Sequence, residues 1–151
     1  MKWHGIGGRT IAKVLAYDLH IVESFQPHLV ILELGTNDLS HLDPTTVGSS
    51  LEDLAQVLHS RYGVQRVVVC QTLFRDKAPE FNNTVTLLNK YSEVVIPSLP
   101  YTNFWKHRRL WNSSKGIYAK DGVHLSAFGQ LKLYRSTRGA VLQSLPTLDS
   151  S

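Results

Sequence analysis

The sequence has little of what marks several large classes of protein. Its 151 residues include one cysteine, Cys70, which excludes an internal disulfide framework and a metal site built on several thiolates. No apolar run approaches the ~20 residues of a membrane-spanning helix, and residues 1–10 lack the apolar core of a signal peptide. We therefore expect one globular domain without a membrane segment and, by default, an intracellular location.

Charge of either sign is also modest. The 16 Lys and Arg residues exceed the 12 Asp and Glu residues, which gives a net charge of +4. Basic residues cluster at residues 106–109 and 132–138, a pattern typical of a solvated face. A weak nucleic-acid surface is the alternative, and so small an excess of positive charge does not favour it.

Predicted strands and helices alternate along the chain. Strands are expected at residues 29–34, 64–71 and 101–105, with the end of a further strand at residues 2–5. Helices are expected at residues 10–23, 43–61, 78–95 and 126–145, and an irregular loop up to residue 120. Because the strands are apolar on both faces, they predict an α/β fold of three layers, in which helices cover both sides of a parallel sheet. One domain would cover residues 1–145, with a disordered tail at residues 146–151.

Three short motifs carry the polar residues of a candidate site. They are GIGGRT at residues 5–10, GTND at residues 35–38 and DGVHL at residues 121–125. The second follows a buried strand, and folds of this class bind ligands at the carboxyl ends of their strands. Each motif alone is also typical of a turn or a helix cap. All three together, in this order and in fitting structural contexts, indicate a functional site.

Asp121 and His124 are three residues apart on a predicted turn, so their side chains can lie side by side. The carboxylate would accept a hydrogen bond from one imidazole nitrogen, which fixes the tautomer. The other nitrogen would then be free to act as a base. Among the seven histidines, only His124 has a carboxylate partner built into a turn in this way.

With these motifs the chain resembles the SGNH, or GDSL-type, hydrolase family over nearly its whole length. That family contains esterases, lipases, acetylhydrolases and thioesterases, which have a flavodoxin-like sheet and use no metal or cofactor. The resemblance implies that Gly8 and Asn37 donate N–H groups to the oxyanion that forms on an attacked ester. It also implies that His124 is the general base and acid and that Asp121 orients it. The loop that supports the oxyanion hole would consist of Gly35, Thr36 and Asp38.

One part of the family pattern is missing. The nucleophilic serine of the family lies in a Gly-Asp-Ser segment at the end of the first strand, and this chain has no such segment. None of its other serines is expected in a strand-turn-helix elbow that would activate the hydroxyl. Ser24 lies near a predicted helix end, Ser49 and Ser50 lie within a predicted helix, and Ser40 and Ser126 follow the GTND and DGVHL motifs. We therefore interpret the chain as an N-terminally shortened SGNH domain without its first strand.

The missing strand has a structural consequence. In a flavodoxin-like sheet the first strand lies in the interior, beside the strand expected here at residues 29–34. Its absence would leave unpaired N–H and C=O groups next to an apolar surface. We therefore expect self-association through this exposed sheet edge.

Three residues are the candidates to line an acyl or leaving-group pocket, with core packing as the alternative: Trp105, His107 and Trp111.

The predicted function is hydrolysis of a small-molecule or carbohydrate ester by a Ser-His-Asp mechanism, with the serine absent from this chain. Two other hypotheses are a catalytically inactive binding module and a degenerate fragment, for example from a mobile element. No metal is expected, because the acidic residues and histidines near the motifs lack the usual ligand spacing. Those residues are Asp38, His41, Asp43, Asp121 and His124.

Overall fold

The computed structural model describes residues 2–111 and 116–148 of the protein. One parallel sheet is formed by β1 (Leu29–Leu32), β2 (Arg66–Cys70) and β3 (Thr102–Trp105), in that order. In the centre of the sheet, Val68 is paired with Ile31 on one side and with Asn103 on the other. This sequential order matches strands three to five of a flavodoxin-like sheet and confirms the predicted α/β fold.

Helices precede and follow each strand. They are α1 (Ile11–Lys13), α2 (Leu19–Phe25), α3 (Pro44–Tyr62), α4 (Pro79–Val95), α5 (Arg108–Trp111) and α6 (Ala127–Leu148). A π-helical turn at Val14–Asp18 joins α1 to α2, and short 3-10 turns lie at Asp38–Ser40 and Ile96–Ser98. No helix in the described part of the chain combines the length and the apolar character needed to cross a membrane.

The ends of α3 follow from its sequence. The Asp43 carboxylate accepts a hydrogen bond from the backbone N–H of Thr46 at 2.8 Å, and proline occupies the first helical position. At the other end Gly63 adopts a φ of +69°. The N–H of Val64 then donates to the carbonyl of Leu58 at 3.1 Å, which closes the last turn.

Both faces of β2 are covered by helices. Val67 and Val69 belong to the larger apolar core, which α3 and α4 complete. Val68 and Cys70 point the other way, into a smaller cluster that contains Ala140 of α6. These two clusters make the three layers that the sequence predicts.

The N-terminal part of the chain differs from its predicted structure. No strand forms at residues 2–5, and the helix expected at residues 10–23 is interrupted by the π-helical turn. Asp18 at the end of that turn is buried and bonded to the guanidinium of Arg9. A π-helical turn inserts an extra residue into the helix, a local change that apolar periodicity does not reveal.

Two further boundaries differ near the C-terminus. The loop expected before residue 120 contains α5, whose Leu110 is fully buried. The last helix continues through Pro146 to Leu148, so residues 146–148 of the predicted tail are helical. Proline removes only one backbone hydrogen bond, so a helix can continue for a few residues past it. Residues 149–151 lie outside the described residues.

One edge of the sheet lacks a partner strand within the described residues. The N–H of Arg66 donates to the carbonyl of His28 at 3.0 Å, so alternate residues Val30 and Leu32 face β2. The backbone groups between them face the opposite edge. The exposed edge predicted from the sequence is therefore present in the described part of the chain.

We expect the 151-residue chain to self-associate through this edge, because unpaired strand groups beside apolar side chains favour pairing with a second chain. Sedimentation velocity across a concentration series would show a rising apparent mass. A monomer mass at every concentration, together with a sharp and concentration-independent thermal transition, would contradict this expectation.

Candidate active site

Asp121 and His124 form the hydrogen bond that the sequence predicts. The distance from Oδ2 of Asp121 to Nδ1 of His124 is 2.5 Å. The second carboxylate oxygen of Asp121 accepts the backbone N–H groups of Val123 and His124, each at 2.9 Å. The hydrogen bond from His124, followed by these backbone bonds, lowers the pKa of Asp121 to about 2.

The environment of this pair is open. The side chain of His124 is 69% exposed and that of Asp121 is 49% exposed. No hydrogen bond to Nε2 of His124 is made by residues 2–111 or 116–148. With Nδ1 held by the carboxylate, Nε2 is the ring nitrogen that faces any incoming group.

The turn that carries the pair is anchored to the segment after β2. The N–H of Asp76 donates to the carbonyl of Gly122 at 2.7 Å. Gly122 has a φ of +70°, and a Cβ there would approach the Asp76 carbonyl oxygen to 3.2 Å. The hydroxyl of Tyr118 donates to the carbonyl of Phe74 at 2.5 Å, which makes a second tie to the same segment.

The GTND loop requires a glycine at its first position. Gly35 has a φ of +122°, and a Cβ there would lie 2.6 Å from Oγ1 of Thr72. That hydroxyl donates to the carbonyl of Leu34 at 3.0 Å and so holds the end of β1 against the segment after β2. Backbone conformation and lack of space therefore both exclude a side chain.

Asp38 and Asn37 attach the GTND loop to the N-terminal turn. Oδ1 of Asp38 accepts the backbone N–H of Ile11 at 3.1 Å. Burial, partly offset by this bond, raises the pKa of Asp38. The side-chain amide of Asn37 donates to the carbonyl of Arg9 at 3.1 Å, beside Gly8, which is exposed with a φ of +73°. The Asn37 amide is thereby held against the residue that follows Gly8.

Arg75 and Asp76 together connect the GTND loop to the DGVHL loop, and neither residue was predicted from the sequence. Nη2 of Arg75 donates to the carbonyl of Thr36 at 3.2 Å and to Oγ of Ser40 at 3.3 Å. Its guanidinium also lies 3.8 Å from the ring centroid of Phe81. The neighbouring Asp76 holds the DGVHL loop, so two consecutive residues join both motifs. The sequence feature that could have identified these two residues is their position beyond the carboxyl end of a buried strand.

The three proposed pocket residues occupy packed positions. His107 is fully buried and therefore does not line an open pocket. The indole N–H of Trp105 donates to Oγ of Ser136 at 3.0 Å, and that of Trp111 donates to Oε1 of Gln71 at 3.2 Å. His107 therefore agrees with the core-packing alternative, whereas Trp105 and Trp111 are only partly buried and stay candidates for a pocket lining.

A cavity of about 180 Å³ lies elsewhere, between α4 and the ends of β2 and β3. None of the motif residues lines it. Its lining consists of Gln71, Phe74, Thr86, Asn89, Lys90, Glu93, Phe104 and Lys106. The chemistry of the motifs, rather than this cavity, defines the candidate site.

Comparison with known protein families shows to which family the chain belongs. The profile of the GDSL-like lipase/acylhydrolase family matches residues 2–132. The chain belongs to this family. No curated protein matches the chain by sequence.

Several solved structures of esterases share the fold of this family member. An acetyl esterase variant with bound acetate has a TM-score of 0.80 at 15% identity, over 96% of this chain and 72% of the other. A carbohydrate esterase family 3 protein from Talaromyces cellulolyticus has a TM-score of 0.76 at 16% identity, over 95% and 70%. A GDSL-like lipase from Bacteroides thetaiotaomicron has a TM-score of 0.74 at 19% identity, over 93% and 75%. These TM-scores show a common fold.

No serine in the described part of the chain is hydrogen-bonded to His124. Ser126, the nearest in sequence, donates to the carbonyl of Gly116 and accepts the N–H of Gly129, so its hydroxyl caps α6. Ser40 accepts a hydrogen bond from Arg75. Neither forms the nucleophile–base contact that this family chemistry requires.

Replacement of Gly35 by alanine should lower the free energy of unfolding by about 2–5 kcal/mol, because it adds backbone strain to a clash with Thr72. The matched control is Gly63→Ala, which also has a positive φ but has no atom within 4 Å of the added Cβ. It should cost only about 1–2 kcal/mol. Chemical denaturation would measure both, and equal losses would contradict the proposed close contact.

Replacement of His124 by glutamine should raise the pKa of Asp121 from about 2 towards its ordinary value, because the hydrogen bond from His124 is the largest cause of the shift. A depressed pKa stabilises the fold above the unfolded pKa, and this contribution is lost as the pH falls towards about 2. Carboxyl-detected NMR between pH 5 and pH 2, as a rough range, would follow the titration. An unchanged Asp121 curve in His124→Gln would show that the pair is not bonded in solution.

Proposed function

We propose that this chain carries the base and oxyanion part of a GDSL-type esterase that hydrolyses acyl or acetyl esters of small molecules or carbohydrates. The observation that carries the proposal is the bond from Asp121 to Nδ1 of His124, which leaves Nε2 open. Membership of the family supports it. The fold shared with an acetyl esterase and a carbohydrate esterase supports acetyl or carbohydrate esters as the class of substrate.

The chemistry starts with proton transfer to His124. Nε2 takes the proton of a serine hydroxyl as that oxygen attacks the ester carbonyl, and Asp121 stabilises the imidazolium that forms. The imidazolium then gives its proton to the leaving alcohol, and an acyl-enzyme remains. Water, deprotonated by the same nitrogen, attacks the acyl-enzyme and releases the acid and the serine.

The oxyanion of each tetrahedral intermediate would be held by Gly8 and Asn37. The Asn37 amide has two N–H groups, and its one hydrogen bond in the structure, to the carbonyl of Arg9, uses one of them. That bond orients the amide, so the other N–H is available to a ligand. Pre-oriented donors of this kind are typically worth about 10²–10³ in rate each.

In the proposed mechanism, this chain does not supply the nucleophilic serine. The absence of a Gly-Asp-Ser segment, and of a described serine bonded to His124, supports a nucleophile from a longer form of the protein. The same observations would suit a catalytically inactive binding module. The two functions differ in whether His124 promotes chemistry once a serine is present.

In an extended form that includes a Gly-Asp-Ser strand, His124→Ala should abolish hydrolysis of small aryl esters. The fold should stay intact, because the His124 side chain is 69% exposed.

In the same extended form, Asn37→Ala should lower kcat by about 10²–10³ with little change in KM, because the donor acts mainly in the transition state. Steady-state kinetics and circular dichroism would measure both effects.

The matched control is His20→Ala, an exposed histidine of α2 outside the three motifs, which should retain full turnover. The 151-residue chain treated with a fluorophosphonate should form no adduct in intact-mass analysis. Turnover of the extended form that does not depend on His124 would refute the esterase mechanism. A His124-dependent adduct on the shorter chain would instead refute the proposal that the serine comes from elsewhere.

A further inference from the structure

A second cluster of chemically active side chains lies inside the sheet and shares no residue with the candidate active site. Glu33 follows β1, Cys70 ends β2, and His107 lies two residues after β3. One ligand atom from each lies within 4.8 Å of the other two. A thiol, an imidazole and a carboxylate therefore converge at the carboxyl ends of all three strands.

Two atoms of this cluster are buried without a normal hydrogen bond. Nε2 of His107 and Oε1 of Glu33 are both inaccessible to solvent and lack a hydrogen-bond partner in the described structure. They are in direct contact with each other, but not in hydrogen-bonding geometry. With the imidazole proton on Nδ1, two acceptor atoms face each other at this contact, which is costly, and a cation shared between them would satisfy both.

The other ring nitrogen of His107 is held from α6. Nδ1 lies 2.7 Å from Oγ of Ser136, and that oxygen also accepts the indole N–H of Trp105 at 3.0 Å. If Nδ1 carries the proton, the lone pair of Nε2 points into the cluster. An outer partner on the second ring nitrogen is the usual arrangement around a metal-bound histidine.

We propose that Glu33, Cys70 and His107 form a buried binding site for a zinc-type divalent cation, which joins the ends of the three strands. Thiolate, imidazole and carboxylate together are typical ligands of zinc and of cobalt in its place, whereas magnesium and calcium prefer oxygen ligands alone. The Cys70 thiol loses its proton on binding. The two negative ligands then neutralise the charge of the cation inside the fold.

The spacing requires only a small adjustment. Bond lengths of about 2.0–2.3 Å to zinc place tetrahedral ligand atoms roughly 3.3–3.7 Å apart. The atoms of the cluster lie within 4.8 Å of one another, but Oε1 of Glu33 is in direct contact with Nε2 of His107, so the Glu33 side chain must rotate away from the histidine to admit the cation. Glu33 is suited to this movement, because its side chain remains 22% exposed and gives the cation a route from solvent.

The test is titration of the metal-free 151-residue chain with Co²⁺ alone and then with Zn²⁺. Binding of one Co²⁺ per chain should produce thiolate-to-cobalt charge-transfer absorption and tetrahedral d–d bands, and Zn²⁺ should remove both. Because Cys70 is the only cysteine, the charge-transfer band of the wild-type protein by itself assigns the ligand. The thermal midpoint should also rise with Zn²⁺.

Variants separate this site from adventitious binding. Cys70→Ser should lose the charge-transfer band, Glu33→Gln should weaken binding, and Ser136→Ala should weaken it about 10- to 100-fold through the histidine. His124→Ala, which removes an exposed histidine outside the cluster, should bind Co²⁺ like the wild type. Failure of this site leaves the esterase proposal untouched, since the two share no residue.

Absence of a charge-transfer band in the folded wild-type protein would overturn the proposal, whatever the variants do. One Co²⁺ bound per two chains would also overturn it, because the cation would then be held between two molecules. Binding that is lost in His124→Ala but kept in Glu33→Gln would place the cation at the exposed histidine instead. Circular dichroism of each variant confirms that a lost band reflects a lost ligand.

Discussion

The rest of the structure depends on β2 being enclosed on all sides. It is hydrogen-bonded to β1 on one edge and to β3 on the other, and helices cover both of its faces. Its residues from Val67 to Cys70 are all buried. The segment that leaves this strand is therefore fixed at its origin, and it carries Arg75 and Asp76. Through these two residues the central strand sets the position of both the GTND loop and the DGVHL loop.

The features that could be predicted from the sequence are those that short segments of the chain determine by themselves. The apolar runs of the strands, the Asp43–Pro44 start of α3 and its end at Gly63 are local signals, and each is present in the structure. The bond between Asp121 and His124 is equally local, because three residues of one turn separate the partners. Geometry of this kind depends on little beyond the turn itself, and so a sequence pattern can predict it.

What could not be predicted depends on residues far apart along the chain. Glu33, Cys70 and His107 meet only because three strands align in register. The sequence left open whether His107 lines a pocket or packs in the core, and the structure shows it fully buried and bonded to Ser136 of α6. A polar aromatic residue after a strand has the same sequence pattern in either setting. Packing of the last helix, which no local pattern describes, decides between them.

The contrast between His107 and His124 shows how burial assigns chemistry to the same residue type. His124 is largely exposed, so water competes for its free nitrogen and weakens the electrostatic effect of Asp121. Efficient base catalysis there requires that another segment or the substrate cover the pair and exclude water. His107 is already enclosed, and water cannot satisfy its Nε2. Either a proton shared with Oε1 of Glu33 or the proposed cation can satisfy that nitrogen, and the nearby thiol favours a zinc-type cation.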